Sequence, residues 1–164
     1  ILDMYVLSYN SNKELRTASP TLKQNLKTYL SEYRMINDSI KIKDAYIINI
    51  TCEFDIIVLP NFNNNQVILD CINSLTTYFN IDNWNVNQPI LLKDLSILLD
   101  KVEGVQTVTN ILIKNISGVT KGYSNYSYDL SAATNNGIIY PSVDPMIFEL
   151  KYSQSDIIGR VVPL

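Results

Sequence analysis

Apolar and polar residues alternate most cleanly from Ile48 to Val58. Ile48, Ile50, Cys52, Phe54, Ile56 and Val58 fall on one side, and Asn49, Thr51, Glu53, Asp55 and Ile57 on the other. A period of two is that of a strand with one buried and one mostly solvated face. Residues 40–60 are therefore the clearest strand of the chain, closed by Pro60 and the polar run after it. Residues 5–9 (YVLSY) are short, aromatic and β-branched, and predict a further strand. Residues 105–114 alternate as well, but with apolar residues on both faces, which predicts a central or covered strand.

Three stretches carry the helical period instead. Ser19 followed by Pro20 pairs a strong N-cap with the residue best suited to the first helical position. Leu22, Leu26, Tyr29, Leu30 and Tyr33 then recur as one apolar stripe. A second helix, capped by Asn64 or Asn65, carries Ile68, Cys71, Ile72, Leu75, Tyr78 and Phe79. A polar turn with the only tryptophan, Trp84, leads to a third helix with Leu92, Leu95, Leu98, Leu99 and Val102. That helix is expected to stop at Gly104, because glycine reaches the left-handed conformation of a helix end without steric penalty. The order is strand, helix, strand, helix, helix, strand. It predicts an α+β domain over residues 1–116, with a small mixed sheet and helices packed on one face.

After Ile116 the pattern dissolves. Residues 117–137 hold Tyr123, Tyr126 and Tyr128 among turn formers, and short apolar runs punctuated by prolines follow. Residues 117–164 are expected to form an extended arm of short strands. This arm is too apolar to be disordered and too irregular for a core of its own. It is expected to lie along the domain itself or along a second subunit as an interface. Removing the residues after Gly137 is expected to abolish self-association and leave the core folded.

Composition narrows the function classes. Of 164 residues 46% are hydrophobic and only 18% charged, and Asn, Ser, Thr and Tyr make up the difference. Such a weakly charged surface suits a protein that works in contact with others; an AT-rich coding sequence yields the same composition. The net charge of −3, with basic residues scattered, argues against nucleic acid as a partner. No apolar run approaches a membrane span. The chain opens ILDMYVLSYN, without a signal-peptide pattern, as a piece of a longer polypeptide would.

The usual carriers of catalysis are missing from the sequence. There is no histidine, and the five glycines are dispersed rather than gathered in a phosphate loop. Cys52 and Cys71 have no metal-ligand or redox spacing and are expected as small buried hydrophobes. Glu53 and Asp55 share a strand face, as solvated carboxylates usually do. No residue is singled out as catalytic, cofactor-binding or metal-ligating, and no cofactor or enzymatic activity is expected. The tyrosines at 123, 126 and 128 suit a protein interface, or alternatively a small-ligand or carbohydrate site.

The segment QPILLKDLSILLDKVEGVQTVTNILI, with its Gly104-Val105 junction, resembles the closing block of the baseplate J-like family of contractile-tail proteins. Upstream, ASPTLKQNLKTYLSEYRMINDSIKIKDAYIINITCEFDIIV is similar to that family's helix, its arginine–aliphatic–aspartate motif and its long strand. Arg34, Ile36 and Asp38 stand at the motif positions. The two ends of the chain resemble, more narrowly, the C-terminal part of the baseplate wedge proteins of large contractile-tailed phages. The resemblance implies a structural, non-catalytic virion component, assembled in the host cytoplasm. Its partners would be copies of itself, as homodimer or ring neighbours around the central hub, and other wedge proteins. A module of a related bacterial contractile injection system is the alternative.

Overall fold

The computed structural model describes residues 2–33 and 39–164, so Arg34, Ile36 and Asp38 lie outside the described residues. The fold is α+β with mixed sheets. In chain order it runs β1 (Leu2–Val6), β2 (Ser8–Tyr9), β3 (Leu15–Arg16), α1 (Pro20–Ser31), β4 (Ile40–Asp44), β5 (Tyr46–Val58) and α2 (Asn64–Tyr78). Then come β6 (Ile90–Leu91), α3 (Leu92–Asp100), β7 (Val105–Asn115), α4 (Leu130–Ala133), β8 (Thr134–Asn135), β9 (Ile138–Ile139), β10 (Met146–Glu149), α5 (Ser153–Asp156) and β11 (Ile157–Val161).

The long strand expected over residues 40–60 forms as β4 and β5, broken only at Ala45. It is the spine of the molecule. β1 pairs with β4 in parallel, β7 pairs with β5 in antiparallel, and β10 and β11 both pair with β5 in parallel. Backbone groups alternate sides along a strand, so their partners show which edge each neighbour takes. Tyr46 N donates to Pro145 O at 3.0 Å, and Ile56 O accepts from Val162 N at 2.8 Å. Asn49 O accepts from Ile116 N at 2.9 Å, and Leu59 N donates to Gly104 O at 2.8 Å. Even-numbered residues thus serve β10 and β11, and odd-numbered residues serve β7.

β10 and β11 are in effect one interrupted strand along the edge opposite β7. Glu149 lies across from Asn49 and Ile157 across from Cys52, so residues 150–156, including α5, bulge out over Ile50 and Thr51. The segment expected as an arm therefore lies on the chain's own sheet. Met146, Ile147, Phe148 and Ile157 are buried in the same core as Ile48, Phe54, Leu75 and Leu99. The expectation that the core would fold without the residues after Gly137 meets this finding. Those residues supply one edge of the central sheet and part of its apolar interior.

The helices carry out most of the pattern. Ser19 caps α1 by accepting from Leu22 N at 3.1 Å, with Pro20 in the first turn. α2 is capped by Asn63 rather than Asn64 or Asn65, its side chain accepting from Gln66 N at 3.1 Å. Val67, Cys71 and Leu75 of α2 and Leu95 and Leu99 of α3 are buried in one core with the even-numbered residues of β5, α2 lying along β11 and α3 along β7. Trp84, in the connection between α2 and β6, is buried against Tyr78 and Phe79.

The junction at Gly104 has two causes. Its φ of +96° belongs to glycine, and a Cβ there would lie 2.7 Å from Val67 Cγ2 and 2.8 Å from the Phe62 ring. α3 can return onto the sheet only where the backbone itself packs under α2. β7, expected as central or covered, is instead an edge strand: among the described residues it pairs with β5 alone. Its apolar content on both faces is thus only half buried, with Val105 and Ile113 inside and Leu112 41% exposed.

Candidate functional site

The face of the sheet away from the helices gathers the polar chemistry of the chain. Along β5 it presents Asn49, Thr51, Glu53 and Asp55. The neighbouring strands contribute Asn110, Leu112 and Lys114 from β7 and Ile158 and Arg160 from β11. Glu53, Leu112 and Ile158 form one row, and Asn110, Asp55 and Arg160 form the next. Arg160 Nε bonds Asp55 Oδ1 at 3.0 Å and its guanidinium approaches Glu53 at 3.8 Å, while Lys114 reaches Glu53 at 3.6 Å. The two carboxylates are matched by cations from both flanking strands. Such partly exposed pairs contribute about 0–1 kcal/mol each and chiefly set cross-strand register.

At the upper end of this face the chain buries two polar side chains that the alternation pattern did not single out. Asn49 is 1% exposed and Glu149, beside it on β10, is 4% exposed. Asn49 Nδ2 donates to Glu149 Oε1 at 2.7 Å, and its Oδ1 accepts from Ser124 N at 2.8 Å. Glu149 Oε2 accepts from Leu15 N at 2.5 Å. One buried pair thus ties together β5, β10, the hairpin of β2 and β3, and the loop after β7. Burial pushes the Glu149 carboxyl up from its ordinary range, against the two hydrogen bonds it accepts. Each carboxylate oxygen is held by a donor from another element of the fold. Its position makes it a structural lock.

The tyrosines expected as an interface or ligand cluster are divided by the fold. Tyr123 donates to the buried Asp156 at 2.7 Å and packs edge-on against Tyr152, with its phenol pushed up to about 12 by burial and by that carboxylate. Tyr126 stands edge-on to Tyr46, their ring centres 4.7 Å apart. Tyr128 donates to Tyr140 O and lies against Phe148. Tyr123 and Tyr126 line a groove of about 480 Å³ with Ile47, Asn49, Val119 and Lys151, and Tyr128 is outside it. Tyr123 fastens the chain after β7 to α5, Tyr126 fastens it to β5 and Tyr128 to β10.

Cys52 and Cys71 are fully buried, their thiols pushed up to about 12 and about 11, first by burial. Thiols held so far from the thiolate behave as packing groups. Among the described residues no three His, Cys, Asp or Glu side chains converge as a metal site would require, and no helix is long and apolar enough to cross a membrane. What the surface does offer is apolar area. None of the residues of α1 is buried, and Leu22, Tyr29 and Tyr33 stand 46%, 58% and 72% exposed. Glu53 is flanked by the half-exposed Leu112 and Ile158.

Set against known proteins, the chain matches no family model, and no curated protein matches it.

Proposed function

We propose that this chain is a structural, self-associating module of a contractile-tail baseplate, working through its surfaces rather than through a reactive centre. The observation that carries the reading is α1. A helix with a clean apolar stripe normally gains its stability by burying that stripe. Here Leu22 and Tyr29 face outward while only Leu26 and Leu30 are half covered. A protein that leaves this much aromatic and aliphatic surface on one helix is built to meet another surface. The resemblance to the baseplate J-like family supplies the assembly in which such meeting takes place, with neighbouring copies and other wedge proteins as partners.

The test is the solution mass of the chain over a wide concentration range, by light scattering after gel filtration. A mass rising toward twice that of the monomer is expected. A mass that stays monomeric at every concentration, in the presence and absence of salt, overturns self-association.

A further inference from the structure

We propose that β7 is the interface at which a second copy of this chain joins, by antiparallel pairing of the two β7 strands about a two-fold axis at Leu112. As an interface between copies, the inference rests on the self-association reading above. Its location comes from the strand itself.

An open strand edge is a template for pairing, and proteins usually blunt it with charge, proline or bulges. Residues 106–113 of β7 (QTVTNILI) hold no charge, proline or glycine. The register against β5 slips between Asp55 and Ile56 and again between Ile57 and Val58, so the irregularities fall in the first half of β7. From Asn110 to Asn115 the pairing is regular. Asn49 O accepts from Ile116 N, so the backbone groups of Leu112 and Lys114 also turn toward β5. Those of Ile111 and Ile113 then turn outward. These are two consecutive outward-turned residues on a regular, uncharged stretch.

A second copy fits that edge better than an arbitrary strand. A two-fold axis normal to the sheet keeps each face on its own side, so only residues of the same face lie opposite each other. With the axis at Leu112, Ile111 of each copy is hydrogen-bonded opposite Ile113 of the other, and the two Leu112 side chains meet on the open face. Lys114 of each copy falls opposite the polar Asn110 of the other. An axis at Ile111 would set the bulged Thr109 against Ile113, and an axis at Ile113 would set Lys114 against Leu112. Only the middle register sets apolar residues opposite apolar ones and Lys114 opposite a polar side chain. A six-residue edge is a small interface, so the dimer is concentration-dependent rather than obligate.

Leu112 gives a direct test. Opposed residues that are not hydrogen-bonded to each other have Cα atoms about 4.5 Å apart, inside the range that a disulfide spans. Leu112→Cys is expected to form a covalent dimer on mild oxidation, while Leu69→Cys, on the exposed side of α2, is not; the native cysteines are buried. Leu112→Lys places a lysine opposite Glu53 within one copy and two lysines opposite each other across the axis. It is expected to leave the thermal melt unchanged and to raise the concentration for dimerisation about tenfold. If the wild-type chain dimerises but Leu112→Cys does not cross-link and Leu112→Lys dimerises normally, the edge is the wrong interface and self-association stands. If the wild-type chain is monomeric throughout and Leu112→Cys fails to cross-link, both readings fall.

Discussion

Glu149 shows how much a single residue can hold. Its carboxylate accepts from Leu15 N and Asn49 Nδ2, and Asn49 in turn accepts from Ser124 N. Replacing Glu149 with alanine orphans two buried donors at roughly 1–3 kcal/mol each, and the loss is expected as a lowered midpoint in urea. The same residue sets a pH dependence. Burial raises its folded pKa above the unfolded one, so its contribution to stability is fully present below the ordinary carboxyl pKa. That contribution is lost as pH rises through the raised folded value. Wild type is therefore expected to gain on Glu149→Gln as pH falls from neutral to about 4. Parallel stability curves for the two proteins would show that Glu149 titrates as in the unfolded chain.

Among the elements, β11 shows how closely the C-terminal segment fits the core. A Cβ at Gly159 would lie 2.4 Å from Phe54 Cζ, and Phe54 is 1% exposed. The ring occupies the space that any side chain on this strand position would need. Gly159→Ala is expected to cost about 1–3 kcal/mol by overpacking, read as a drop in Tm. An unchanged Tm would mean that β11 moves away from Phe54 at little cost. α1 is the opposite case: it is well capped, none of its residues is buried, and its main neighbour is β4, to which Lys23 is tied by an ion pair with Asp44 at 2.7 Å. Helix formation here needs only local signals, whereas β11 needs its neighbours in place.

For the whole molecule, the decisive feature is that β5, near the first third of the chain, is completed by strands from its last twenty residues. Asn87 anchors the first of them. Its side chain accepts from Met146 N at 2.9 Å and its backbone donates to Met146 O at 2.6 Å. A chain ending at Gly137 would expose one side of β5 and lose Met146, Ile147, Phe148 and Ile157 from the core. It is expected to lack a cooperative thermal transition by circular dichroism. A sharp transition in the truncated chain would show that the helices and β7 suffice.

The sequence by itself determined the elements whose signals are local. The alternation of residues 48–58, the Ser19–Pro20 start of α1, the stripes of α2 and α3 and the turn at Gly104 all depend on neighbours within a few residues, and they were legible there. The α+β class followed from their order. Tertiary structure alone decided which strands adjoin. Hydrophobic alternation reports that a face is buried but is silent about edges, so β7 read as covered and lies at the rim. Short strands such as β10 and β11 carry too few residues for a period and gain their form from pairing with β5. The buried Asn49 and Glu149 were invisible for a related reason: a polar residue reads as exposed until the fold brings its hydrogen-bond partner, here 100 residues away, to meet it.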